Sequence, residues 1–246
     1  RLWKIKKMGT AKDYGLQDVR SVVLTEAKTM YAGGVNSNIA SRYMQIHTMA
    51  YNTGTGLYSQ TDWFTNSGFS FAISKLVLEE IGAPPTTSYL YYLKSGSPYT
   101  LNRLDVTIPV TSGSAVSPLT SPTVSTYYSN SMQIRQGQMI VWGLAYTDMQ
   151  FVEKTGLQTI TTLTGSVKAY YFTIDNLDTN VLFVMNGNSP YGLYRIPIPA
   201  SGSTYTNTHS VSAITTIRSN ILNFGPYQYI GLVRTDLSPR VFKMYQ

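Results

Sequence analysis

Cysteine is absent from the 246 residues, which excludes disulfides and cysteine-based zinc sites. Charge is scarce: Asp, Glu, Lys and Arg make up 13% of the chain, about half the usual quarter. No apolar run approaches the ~20 residues that a membrane-spanning helix needs, so no span is expected. No signal peptide is visible, and Arg1 is not a translation start; the chain reads as a processed product or a fragment of a longer one. None of the 13 Asn residues begins an Asn-x-Ser/Thr acceptor, which leans against a eukaryotic secreted glycoprotein. Ala, Leu, Glu and Lys are sparse, so little drives helix formation.

Familiar catalytic patterns are missing too. There is no Gly-x-Ser-x-Gly elbow. There is no phosphate-binding loop, and Gly54-Thr55-Gly56 lacks the third glycine of a dinucleotide fingerprint. Histidine occurs twice. His47 lies in an alternating stretch with Tyr43 and Gln45 and reads as a structural histidine; His209 reads as a loop residue. Asp175 and Asp178 flank Asn176 without the glycine and distal Glu of a helix-loop-helix calcium site, so they read as a turn. Glu79 and Glu80 are neighbours on an extended stretch, so their side chains point to opposite faces and do not converge as an acid/base pair. The expectations are no catalytic residue, no cofactor, no metal, and a chain that is not an enzyme.

What is present is hydroxyl and aromatic: 20 Tyr, 25 Ser and 30 Thr. Such residues fit pleated, half-buried surfaces, so the chain is expected to be all-β. The net charge of +7 sits at the two ends, +4 in the first 30 residues and +3 in the last 30, while the middle balances. That placement reads as a solvated basic edge, with contact to an acidic partner or nucleic acid as the sharper alternative.

One unit recurs. Tyr89 to Pro109 and Val181 to Pro199 each hold an apolar run, a Ser-Pro-Tyr turn, and a second strand with Leu-x-Arg that ends in Ile-Pro. A small-residue patch follows both, Thr111-Ser112-Gly113-Ser114 and Ala200-Ser201-Gly202-Ser203. A third copy closes the chain, and Arg1 to Ile5 resembles Arg240 to Met244 position by position. Equivalent positions on the second strands are Trp3, Tyr58, Asn102, Phe151, Tyr194 and Phe242, spaced 55, 44, 49, 43 and 48 residues apart. Each interval of about 48 residues holds three or four candidate strands, the length and content of a propeller blade.

On this pattern the chain resembles β-propeller proteins. In size and repeat length it is similar to five-bladed tachylectin-type lectins, and propellers also form the tail nozzles of short-tailed phages. The resemblance implies one domain over residues 1–246, all-β, with four-stranded repeats in five or six blades. The signatures of tryptophan-aspartate, kelch and sialidase repeats are missing. A jelly-roll sandwich is the alternative fold.

Strands are expected at Val19 to Thr25, Lys28 to Gly34, Tyr43 to Met49, Leu57 to Gln60, Tyr89 to Leu93, Leu101 to Ile108, Met139 to Leu144, Phe151-Val152, Thr159 to Leu163, Lys168 to Ile174, Val211 to Ile217 and Ile221 to Phe224. Trp63 to Gly68 reads as a loop, and Phe69 to Ile81 as two strands. Thr111 to Ser125 reads as a long loop with an edge strand. Trp63, Trp142, Tyr99 and Tyr191 are the candidate binding residues, because flat apolar rings with polar handles stack on sugars. Of the pairs Tyr91-Tyr92, Tyr127-Tyr128 and Tyr170-Tyr171, one member each is expected in the core and the other as surface cover.

The function expected from all this is a non-enzymatic structural or interaction module of a virion, of phage-tail type, or of an extracellular assembly. Its partners would be further copies of itself or other assembly proteins. The alternatives are a carbohydrate-binding lectin, with a surface glycan as ligand, and a jelly-roll capsid protein with a genome-facing basic arm.

Overall fold

The computed structural model describes residues 16–36, 44–64, 73–94, 100–108, 119–120, 131–142, 148–175, 177–186, 192–206, 209–211, 214–224, 227–234 and 239–245. Its strands form five antiparallel sheets that follow one another along the chain. The first holds β1 (Leu16–Leu24), β2 (Met30–Asn36), β3 (Met44–Asn52) and β4 (Leu57–Phe64). In the second are β5 (Ile73–Gly82), β6 (Pro85–Lys94), β7 (Thr100–Asp105) and β8 (Leu119–Thr120). The third contains β9 (Ser131–Arg135), β10 (Gln138–Trp142), β11 (Met149–Glu153) and β12 (Thr159–Leu163). The fourth is built from β13 (Ala169–Ile174), β14 (Val181–Asn186), β15 (Gly192–Pro197) and β16 (His209–Val211). β17 (Ile214–Phe224), β18 (Tyr227–Arg234) and β19 (Pro239–Tyr245) make the three-stranded fifth. A jelly-roll would instead divide its strands between two sheets.

Each sheet is an up-and-down meander, and the first strands lie in series: β1 touches β5, β5 touches β9, β9 touches β13, and β13 touches β17. The sheets therefore stand face to face, and an inner sheet must be apolar on both sides. The sequence of β10 meets that demand. Met139 and Val141 face the second sheet, in a cluster with Tyr91, Leu93 and Leu101. Ile140 and Trp142, the alternate residues, face the fourth sheet with Phe172, Leu182 and Val184. The same division splits Tyr91 from Tyr92, which packs toward the first sheet with Tyr31, Ile46 and Leu90. Both members of that pair are thus core residues, where one had been expected as surface cover; a two-sided sheet leaves no solvent face at that position.

Local chemistry fixes the turns. Gly82 lies between β5 and β6 at a φ of +100°, and a Cβ there would stand 3.0 Å from the carbonyl oxygen of Pro84, so only glycine fits. A Cβ on Gly165 would come within 2.3 Å of the Tyr205 ring. That ring packs edge-on against Trp142 at 5.1 Å, and its hydroxyl donates to the Val167 carbonyl at 2.8 Å. Asp175 and Asp178 each accept from the backbone two residues on, Leu177 N–H at 2.8 Å and Asn180 N–H at 2.9 Å. Each closes its own turn, as expected of Asp in this position.

Several boundaries differ from those read in the sequence. Trp63 and Phe64 belong to β4, not to a loop, because that strand continues past Gln60 through a register shift against β3. Ile73 to Gly82 is one strand rather than two, and Ile214 to Phe224 likewise runs unbroken with two register shifts. Such irregularities let a strand bend without ending. His209 stands in β16 opposite Arg195. Ser131 to Arg135 is a strand that had no expectation attached to it. Asn102, Phe151, Tyr194 and Phe242 all occupy the third strand of their sheets, so the equivalence drawn among them holds. Tyr58 lies in the fourth strand of its sheet instead. Trp3 is outside the described residues.

Two outcomes test this packing. Leu90→Ala and Leu182→Ala each remove a wholly buried side chain between sheets and should each cost about 2–5 kcal/mol in urea unfolding. Ile160→Ala, on the exposed edge of β12, should stay within about 0.5 kcal/mol. The second outcome concerns alkali. Burial, with the Glu80 charge, raises Tyr31 from 10.0 to about 12, and burial first among other causes also raises Tyr91, Tyr92 and Tyr205. Unfolded, these phenols ionise near 10.0 while folded they keep the proton, so the stability they add is complete below that pH and is lost above it. Lys75, lowered from 10.5 by burial, has the opposite sense and acts only below 10.5. Unfolding free energy should fall above pH ~10 by on the order of 1.4 kcal/mol per pH unit for each buried tyrosine, and phenolate absorbance should appear together with unfolding.

Candidate functional site

Strand β5 carries Glu79 and Glu80 to the rim where the first-to-second and third-to-fourth strand turns gather. As their alternation requires, the two carboxylates leave on opposite faces of the second sheet. Toward the third sheet, Glu79 Oε2 accepts from the Tyr91 hydroxyl at 3.0 Å, and Glu79 Oε1 pairs with Lys154 Nζ from the β11–β12 turn. Arg103 of β7 adds a bond from Nη1 to the Lys154 carbonyl oxygen at 2.6 Å, and its guanidinium lies 4.8 Å from the Tyr89 ring centre. Burial and then the hydrogen bond to Glu79 push the Tyr91 phenol up, so this cluster holds protonated donors around one carboxylate. A similar tie joins the third and fourth sheets: Arg135 Nε donates to the Thr179 carbonyl at 2.5 Å, and Nη2 donates to Asn180 Oδ1.

Toward the first sheet the chemistry is different. Both oxygens of Glu80 accept from the Glu26 N–H, at 3.2 and 3.0 Å, and no basic residue joins them among the described residues. A cavity of about 450 Å³ opens here between the first two sheets. Glu26, Ala27 and Thr29 of the β1–β2 turn form one wall, Pro84 and Pro85 another, and Val106 and Thr107 a third. Tyr31 and Glu80 line it as well. The wall is held by side chain to backbone bonds: Thr29 N–H to Thr25 Oγ1 at 2.9 Å, and Ser88 N–H to Thr107 Oγ1 at 3.0 Å. Its volume falls within the ~300–1,000 Å³ usual for small-molecule pockets.

Of the aromatic residues singled out in the sequence, Trp142 does not line this cavity. Trp142 is wholly buried between the third and fourth sheets, 5.9 Å from Phe172 and 5.1 Å from Tyr205 between ring centres. Its rings are therefore spent on the core rather than offered to a sugar. Trp63 stands opposite His47 in the β3–β4 ladder, and its side chain lies outside the described residues. So do Tyr99 and Tyr191, and the basic side chains of both ends up to residue 20 and from residue 207 on. His47 is wholly buried in β3, as a structural histidine would be. Glu26, Tyr31 and Thr107 had carried no signal in the sequence. Glu80 had one, its place beside Glu79, which gave the opposed faces but not the cavity.

No family model matches the chain, and no curated protein matches it in sequence. Solved structures do share its fold. Hydrazine synthase of Kuenenia stuttgartiensis superposes with a TM-score of 0.61 at 10% identity, over 96% of this chain and 68% of that one. A protein of unknown function from Bacteroides caccae gives 0.58 at 10% identity, over 95% and 79%. A candidate 6-phosphogluconolactonase from Bacteroides uniformis gives 0.56 at 12% identity, over 96% and 83%. These likenesses show a propeller-like all-β fold. They also overturn the expectation that the chain is not an enzyme, because two of the three carry enzyme names. Missing motifs were the whole ground for that expectation, and a fold used by enzymes removes their weight.

At such identity the fold alone is shared, so chemistry has to be read from this chain's own side chains. For the Glu79 cluster, Glu79→Gln leaves a partly buried ammonium without its counter-charge and should cost about 1–3 kcal/mol. Combined with Lys154→Met, the two losses should fall short of additive by about 0.5–3 kcal/mol in chemical unfolding; strict additivity would show that the pair contributes nothing.

Proposed function

We propose that the five sheets are the blades of a five-bladed β-propeller, and that this propeller is an interaction module of a virion or extracellular assembly. Its partner surface is the rim of the blades, and its first partner is another copy of itself. One observation supports this reading most. β12, the edge strand of the third sheet, presents Thr159, Ile160 and Thr161 in a row, all exposed and none charged. Folded proteins usually guard such an edge with charge or proline, because its unpaired N–H and C=O groups recruit another chain; β12 carries neither, and its one irregularity is the register shift that leaves Ile160 without a partner on β11. Val22 and Leu24 on β1 add half-exposed apolar side chains at 50% and 54%.

Purified protein should form discrete oligomers by light scattering, and particle images should show rings of five radial blades. Ile160→Lys places a charge in the middle of the edge and should shift the population to monomer without lowering thermal stability. A wild-type chain that stays monomeric up to its solubility limit would overturn the self-assembly reading, and so would an Ile160→Lys variant that assembles as before.

A further inference from the structure

We infer that the end of the sheets where the first-to-second and third-to-fourth strand turns gather docks a second copy of this chain. It meets a basic surface of that copy rather than its own counterpart, an inference that rests on the self-assembly reading and adds which parts of the two copies touch.

Bonds between neighbouring sheets fix the place of this end. Glu26 N–H in the β1–β2 turn reaches Glu80 near the end of β5, and Lys154 in the β11–β12 turn pairs with Glu79. Arg135 at the end of β9 reaches Thr179 in the β13–β14 turn. The turns of the first four sheets therefore lie side by side. Seven large apolar residues are exposed among the described residues, and six of them stand here. Leu24 ends β1, Leu57 opens β4, Ile81 is next to last in β5, and Ile160 is second in β12. Ile108 lies just past β7 at 82% exposure, and Leu177 in the β13–β14 turn at 69%. A single exposed leucine needs no explanation, but each of these four neighbouring sheets presents an apolar side chain at the same end.

Charge says what covers them. Seven of the chain's 12 carboxylates lie in these turns or within four residues of them, with five of its 19 lysines and arginines. This end thus carries −2, and since the whole chain carries +7 the remaining residues carry +9. Two copies meeting at this same end set like charge against like. Meeting a basic surface instead joins opposite charges while taking the apolar side chains out of water. Such a contact is heterologous. Each copy in it keeps one unused surface of the other kind, so copies add in series until a ring closes or the array runs on.

Light scattering and sedimentation of the full chain test the inference. Ile108→Glu combined with Leu177→Glu places two charges in exposed turns away from β12. The double variant should keep its melting temperature and weaken self-association about tenfold or more. It also keeps its basic surface. Added to wild type at a substoichiometric ratio, it should therefore cap the assemblies and reduce their mean size. Leu57→Glu, on the first sheet, is the second variant should the pair perturb folding. Higher salt should weaken wild-type assembly. Full assembly by the folded double variant would overturn the inference, and would leave the β12 edge standing if Ile160→Lys still dissociates the protein. A monomeric double variant that leaves wild-type assemblies unchanged would overturn it as well, because a contact between like surfaces is not capped in this way. A wild-type chain that never assembles removes the self-assembly reading and this inference with it.

Discussion

Every inner sheet of this protein has to be apolar on both faces. The first strands lie side by side from β1 to β17, so each sheet uses its neighbours as its only cover, and a strand with one polar face would leave that face against hydrocarbon. The three clusters of buried residues are the direct result, one at each of the first three gaps between sheets. Removing a side chain at one gap opens a cavity that neither flanking sheet can collapse into without disturbing its opposite face. That coupling makes a large-to-small change in the second strand of an inner sheet costly, while an outer strand such as β12 can be Thr-rich and exposed.

Polar chemistry is pushed by the same constraint to the ends of the sheets. Where the gaps reach the turns, side chains from one sheet satisfy backbone groups of the next, Arg103 on the Lys154 carbonyl and Arg135 on the Thr179 carbonyl; within the strands, Ser21 Oγ of β1 accepts from the Leu76 N–H of β5 at 3.0 Å. These bonds set the angle between sheets more than they drive folding, since a hydrogen bond adds only about 0.5–1.5 kcal/mol net. The apolar gaps supply the drive. A protein built this way can vary its rim chemistry widely, which fits a fold shared at 10% identity by chains with unlike names.

How much of this was legible in the sequence depended on whether a property is local. Alternation and turn residues are local, so most strands, the Asp175 and Asp178 turns and the opposed faces of Glu79 and Glu80 could be read directly. The equivalence of Asn102, Phe151, Tyr194 and Phe242 was also readable, because each sits beside a hairpin of similar length. What failed was whatever depends on the neighbouring sheet. Whether Tyr91 or Tyr92 is the buried one cannot be asked of one strand, since the answer, both, comes from two different partners. Trp142 read as a ligand platform for the same reason. The cavity was invisible because its walls come from β1–β2, β5–β6 and the end of β7, segments up to about 80 residues apart in the chain that no short window brings together.

Glu79 and Glu80 supply an internal comparison that bears on the cavity. The two are adjacent on one strand, at one rim, in gaps of one architecture. Glu79 meets an ammonium and a phenol from its neighbours. Glu80 meets a single backbone N–H, and its gap is open. If carboxylates at this rim served only to pin sheets together, Glu80 would be expected to face a basic side chain as Glu79 does. A like residue without that partner is held by a backbone dipole in place of a counter-charge.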